Sequence, residues 1–271
     1  MQEDPILHQD RSSSVLSEKD SQDLEQEYTL RSATHSANPN VLYARMRQEA
    51  PVFFSSVLQT WVISRYEDVT AVLRDHQRFA ICTFSADAGK FTPETVAIMG
   101  TGPFVEVASM VMTDPPVHTR LRSAITRVMS AQHIASLEPR LRQLANRLID
   151  EFEPDGRADF VTKFARLYPI QALGSLFNIS EVDQLYLHRL ADDTATLFFT
   201  DASAEQQLLL AQSYVAQQQY FQDLVEQRRQ EPQDDLASDL LKAVDAGQTP
   251  LSVLEAANVL YNLLGAGLRS L

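Results

Sequence analysis

The sequence is nearly without cysteine: Cys82 is the only one among 271 residues. An intramolecular disulfide is thereby excluded, and so is a structural zinc site built from several thiolates. Such thiol usage fits the reducing cytoplasm. Basic charge is scarce as well, with 23 Lys and Arg against 36 Asp and Glu and a formal net charge of −13. That balance disfavours a phosphate backbone or an anionic lipid surface, so neither nucleic acid nor a membrane is expected as a partner. Nowhere does an apolar run approach the roughly 18 to 20 residues that span a bilayer. The stretch from Met1 to Leu30 also lacks the basic start and apolar centre of a secretory signal.

What is present is a hydrophobic fraction of 44%, enough for one large domain or two modest ones. Residues 1–28 stand apart. Their string QDRSSSVLSEKDSQDLEQE carries too few apolar side chains to offset the entropy of ordering it, and it reads as a flexible polar leader. The remainder, 29–271, reads as a single domain.

In NPNVLYARMRQEA, which opens at Asn38-Pro39, Val41, Leu42, Arg45, Met46 and Glu49 divide into an apolar and a charged face, predicting a helix that stops at Pro51. The next string, PVFFSSVLQTWVISR, is rich in β-branched and aromatic residues around a polar centre and predicts two short strands and a turn. A helix at DVTAVLRD follows. From Ala80 to Thr113 the residues Gly89, Pro93, Gly100, Gly102 and Pro103 break every period. A long loop with at most one short helix is expected there, and Phe84, Phe91, Ile98 and Phe104 favour a packed lid over disorder. Beyond Asp114 nearly everything predicts helix: Pro115 to Met129, Ile134 to Phe152, Phe160 to Phe177, Val182 to Phe199, Ala204 to Gln230, Leu236 to Ala246, and Ser252 onward. The fold class is therefore mainly α, with a small β element near residues 51–65. Ile134, Leu137, Leu141, Leu144, Leu148 and Phe152 form an amphipathic stripe suited to core packing.

Two segments could carry chemistry. In MTDPPVHTRLR, Asp114 suits an N-cap and Pro115 the first helical position, where its missing donor costs nothing. His118 and Arg122 are four residues apart and share a face, offering two adjacent donors to carboxylates. From spacing alone an ordinary basic surface helix accounts for them better. Near the other end, Ser252 and Glu255 form a capping box ahead of AANVLYNLLGAG, an almost wholly apolar helix that should be buried. Gly265 and Gly267 each cost roughly 0.5–1 kcal/mol in a helix interior, which is tolerated where another group must approach the backbone.

DPPVHTRLR resembles the DPPxHTxxR signature of the cytochrome P-450 superfamily, soluble bacterial-type heme-thiolate monooxygenases. NPNVLYARMRQEAPVFF, WVISRYEDVTAVLRDHQRFA, YPIQALGSLFNIS and EPQDDLASDLL look like segments of the same family in the same order. The resemblance covers roughly Asn38 to Gly267 and implies a P-450-like helical fold with a small N-terminal β element. It implies that His118 and Arg122 bind the heme propionates. It also matches Ala266, Gly267, Leu268, Arg269 and Ser270 to the (A/G)-Gly-x-(Asp/Glu)-Thr turn over the heme, so that Ala266, Gly267 and Ser270 are the candidate catalytic positions. Arg269 stands where the family has an acid and Ser270 where it has threonine, which puts the usual proton relay in doubt.

The implied reaction inserts one oxygen atom from O2 into a lipophilic organic substrate, with electrons from a ferredoxin- or flavodoxin-type partner. Substrate selection would rest on Ile81 to Met110, Leu197 to Thr200 and Val259 to Ala266. The family's Phe-Gly-x-Gly-x-His-x-Cys-x-Gly loop and Glu-x-x-Arg helix have no counterpart here, and Cys82 reads as a small loop residue, so no metal ligand is assigned. On this reading the domain is incomplete at its C-terminus, truncated within the central helix, does not hold heme stably by itself and is inactive alone. The alternative is a non-catalytic helical binding or regulatory protein derived from the same fold.

Overall fold

The computed structural model describes Tyr28 and residues 38–56, 59–81, 90–247 and 251–268. The expected leader up to residue 27, together with Cys82, Arg269 and Ser270, lies outside the described residues. Within them the chain is mainly α, with ten α-helices and a two-stranded sheet. Two compact units divide it, Met1–Phe79 and Ala80–Leu271.

In the first unit, α1 (Pro39–Glu49) starts with proline at its first turn, where no donor is lost. Leu42 and Met46, one turn apart, are its buried residues, and they pack with Ala50, Phe53 and Val62. On the outer side Arg45 and Glu49 pair at 3.3 Å. Strands β1 (Val52–Ser55) and β2 (Thr60–Ile63) run antiparallel with Phe53 opposite Val62 and Phe54 opposite Trp61. Alternation sends Phe53 and Ser55 inward. The other face carries Phe54 and Trp61, edge to face at 5.6 Å. Helix α2 (Tyr66–Arg74) completes the unit.

The second unit begins with the stretch expected as a loop. It does hold one short helix, α3 (Pro93–Met99), capped by the Thr92 hydroxyl, which accepts from Thr95 N at 3.2 Å, and a 3-10 turn at Met110–Met112. Helix α4 (Val117–Val128) starts two residues later than the double proline suggests. Asp114 does not cap it: its Oδ2 accepts from Ile81 N at 2.7 Å instead. The Asp114 carbonyl still accepts from His118 N at 3.0 Å, so the turn closes on backbone alone.

Helix α5 (Ala131–Asp150) is capped by Ser130. Its stripe buries Leu144 and Leu148 and packs the partly buried Leu137 against the main core, whereas Ile134 remains 42% exposed. A π-helical segment, Val161–Ala165, leads into α6 (Leu167–Leu176). Then follow α7 (Glu181–Phe199), α8 (Ala204–Gln230), α9 (Leu236–Asp245) and α10 (Val253–Gly267). As its sequence demands, α10 is the buried axis, touched by α4, α6, α8 and α9. Ala256, Ala257, Val259, Leu260 and Leu264 on it are all buried. Full burial of a leucine is worth roughly 1.5–3 kcal/mol.

A charged pair lies inside this core. The Arg228 and Asp235 side chains are 7% and 0% exposed and bond to one another. Arg228 Nη2 also donates to Asn178 O at 3.2 Å, and Asp235 Oδ1 accepts from Ser238 N at 2.8 Å as the N-cap of α9. Each charge is thus met by several hydrogen bonds, the condition under which a buried pair is tolerated.

Candidate functional site

On α4 the residues Leu121, Ala124 and Ile125 turn into the core. The opposite edge brings His118 and Arg122 together, with Thr119, Ser123, Thr126 and Arg127, around a shallow depression of ≈ 450 Å³. His118 is half-buried and Arg122 exposed. Among the described residues neither side chain has a hydrogen-bond or ion-pair partner, so both keep their donors available. Two cationic or donor groups one turn apart are matched to a pair of carboxylates on a ligand, and a guanidinium offers a fork rather than a point charge.

A neighbouring arginine ties this helix to the central one. Arg120 Nη1 donates to Glu255 Oε2 at 3.0 Å and its second terminal nitrogen to Oε1. Glu255 Oε2 also accepts from Ser252 N at 2.8 Å, closing the capping box that the sequence announces. The Arg120 hydrogen bond is the largest influence holding the Glu255 carboxyl below its ordinary range. One carboxylate therefore both starts α10 and anchors it to α4. The capping role was legible in the sequence, and the partner 135 residues away was not.

At the far end of α10 the two glycines differ. A Cβ at Gly267 would lie 2.7 Å from Leu173 Cδ1 of α6, so glycine is there for close helix packing. A Cβ at Gly265 meets nothing within 4 Å. The close approach read from the sequence holds for Gly267 and not for Gly265. Ala266 is exposed between them. The depression beside His118 and Arg122 is lined by α4 residues, and Ala266 and Gly267 are not among them. Ser270, the third candidate catalytic residue, falls outside the described residues.

Sequence reasoning missed the groups that hold the described part of the segment expected as a lid. Gln207, 8% exposed, accepts from Thr92 N at 3.1 Å and donates to Lys90 O at 3.2 Å and Ala202 O at 3.1 Å. Gln218, 2% exposed, accepts from Phe104 N at 3.3 Å. A Cβ on Gly102 would come within 2.5 Å of its Oε1. Eleven residues separate the two glutamines, about three helical turns, so they share one face of α8 and strap both ends of α3 along it. Burial pushes the phenols of Tyr214, on the same helix, and Tyr261, on α10, above their ordinary range. Rings continue this line from Phe91 through Phe198 and Tyr214 to Tyr261 at centroid spacings of 5.7, 5.5 and 6.5 Å. Glutamine in a long helix ordinarily signals a solvated face, which is why nothing in the sequence marked them.

No family model matches the chain. Over 213 residues it is 33% identical to mycinamicin IV hydroxylase/epoxidase of Micromonospora griseorubida, a match covering 78% of this chain and 50% of that protein. Over 238 residues it is 32% identical to cytochrome P450 107B1 of Saccharopolyspora erythraea, covering 83% and 54%. Among solved structures, cytochrome P450 CREJ in complex with (4-ethylphenyl) dihydrogen phosphate is similar with a TM-score of 0.72 at 28% identity, covering 85% of this chain and 57% of that one. The chain spans about half the length of the curated relatives it matches.

Proposed function

Because the chain belongs to the cytochrome P450 superfamily, we propose that it forms part of a heme-dependent monooxygenase that inserts one oxygen atom from O2 into a lipophilic small molecule. The observation carrying this reading is the donor pair on α4, with His118 and Arg122 one turn apart and unengaged among the described residues. In this role the His118 imidazole and the Arg122 guanidinium donate to the two propionates. The Arg120–Glu255 ion pair fixes the distance between that helix and α10. When bound, heme would supply the oxygen chemistry, and His118 and Arg122 would hold it by its carboxylates.

The remaining work falls to the chain. Gly265 leaves open space at the edge of α10, and the Ser270 hydroxyl holds a proton at Oγ where relatives of this family carry threonine. Apolar lid residues such as Phe91 and Phe104 exclude water from the substrate. Electrons come from a ferredoxin- or flavodoxin-type donor, and the net charge of −13 together with the thiol usage fits a cytoplasmic setting. Among the described residues no helix is long and apolar enough to cross a membrane.

Titration of the chain with hemin tests this donor pair. Charge-assisted hydrogen bonds of this kind are worth about 1.5–3 kcal/mol, so Arg122→Ala is expected to weaken hemin binding roughly tenfold or more. Thr119→Ala, on the same depression, should leave it unchanged. Equal affinity of wild type and Arg122→Ala refutes the assignment. The hemin-loaded chain, reduced and exposed to carbon monoxide, should lack the red-shifted absorption of thiolate ligation, since Cys82 is its only cysteine and is proposed to be a loop residue.

A further inference from the structure

Beyond Glu255 in its first turn, helix α10 is largely apolar, and its two asparagines sit one turn apart. Asn258 is 3% exposed, and Asn262 is half-buried. The Asn262 amide nitrogen donates to Asn258 O at 2.7 Å and to Asn258 Oδ1 at 2.6 Å. A backbone carbonyl can only accept, so the orientation of the Asn262 amide is settled: both of its protons are committed to Asn258. Its oxygen accepts from the Ser109 hydroxyl at 3.3 Å, a residue of the lid segment just before the 3-10 turn.

That arrangement leaves capacity of one kind. Ser109 has given its single proton, and Asn262 has given both. What remains is the second lone pair on Asn262 Oδ1 and the lone pairs on Ser109 Oγ, all of them acceptors. The chain neighbours on both segments are apolar: Val107, Ala108 and Met110 flank Ser109, and Tyr261 and Leu263 flank Asn262, all partly buried and packed against the core. One turn further on, Gly265 adds room, with nothing within 4 Å of an added Cβ. Positions 262, 265 and 266 share an edge of the helix. A molecule lying along that edge meets apolar groups and one polar feature that can only accept.

We propose that Asn262 and Ser109 form a specificity element that recognises a hydrogen-bond donor, a hydroxyl or an amine N–H, on an otherwise lipophilic substrate. The proposal rests on the reading above in which α10 walls the substrate pocket, and it adds the chemistry by which that wall selects. A ketone or ether oxygen brought to the same place faces oxygen lone pairs, and accommodating it requires Ser109 to abandon Asn262. One hydrogen bond gained or lost corresponds to about a fivefold difference in affinity.

Calorimetric titration of the chain with cyclododecanol, cyclododecanone and methoxycyclododecane tests this on one carbon skeleton. The alcohol is expected to bind about fivefold more tightly than the other two, and Asn262→Leu to reduce the ratio below about twofold. Ser109→Ala leaves the amide oxygen in place and should keep most of the preference. Equal binding of the three probes to wild type, or an undiminished ratio in Asn262→Leu, overturns the proposal while leaving the pocket intact. Binding of none of them removes the pocket reading and the proposal with it. Should Asn262→Leu fail to fold, the wild-type ratio decides alone.

Discussion

Cutting the link between α4 and α10 gives the sharpest energetic test of how the site is held. Arg120→Met removes the charge and keeps a long apolar stem, while Glu255→Gln keeps an acceptor for Ser252 N and so spares the cap of α10. The two side chains are 31% and 17% exposed and joined by two hydrogen bonds. A fully exposed pair contributes about 0–1 kcal/mol and a charge-assisted hydrogen bond about 1.5–3 kcal/mol; a half-sheltered two-pronged pair falls between, at about 1–2 kcal/mol. A double-mutant cycle isolates that coupling from whatever each residue contributes elsewhere. Urea denaturation of the four proteins, followed by circular dichroism at neutral pH, measures it.

The sign of its pH dependence follows from Glu255, whose carboxyl is held below the usual range by Arg120. A group with a depressed folded-state value stabilises fully above the usual carboxylate range, and that contribution is lost as pH falls through the lower folded value. Wild type should therefore lose stability on acidification more steeply than Glu255→Gln. A coupling under about 0.3 kcal/mol at neutral pH refutes the argument that this pair, rather than apolar packing, sets the α4–α10 contact.

The two glycines of α10 should respond in opposite directions. Gly265→Ala, entering open space, is expected to stabilise by up to about 1 kcal/mol through helix propensity. Gly267→Ala must displace Leu173 and should cost about 1 kcal/mol net, overpacking outweighing propensity; thermal denaturation of the pair checks both. The lid strap is read by hydrogen exchange. Gln207→Leu should speed exchange at Thr92 to Val96 about tenfold or more, because about 1.4 kcal/mol or more of local stability goes with the bonds to Lys90, Thr92 and Ala202. Unchanged exchange there, in a variant that folds, would show that apolar packing alone holds the lid.

The long helices were legible because their signals are local. Ser203 and Ser252 each stand three residues before a Gln or Glu, and both capping boxes form. The apolar run of α10 left burial as its only stable outcome, and the hairpin followed from the β-branched and aromatic residues that flank a polar centre. The helix after the double proline was misjudged at its start because Asp114 had two possible partners. The one it took, Ile81 N, is 33 residues away. Local rules rank capping first, and only the folded chain reveals a competing donor.

The same division separates the site residues. One turn of helix was enough to place His118 beside Arg122, since i and i+4 must share a face whatever surrounds them. That identical spacing says nothing about Arg120, Glu255, Gln207, Gln218, Ser109 or Asn262, whose partners lie on other elements. Periodicity states which side of a helix is apolar, and with it this sequence determined its helices, its hairpin and its buried axis. Tertiary structure alone decided which glycine is packed, which arginine is spoken for and which amide keeps an unused lone pair. Those depend on what arrives from distant parts of the chain, and a hydrogen bond has no sequence period.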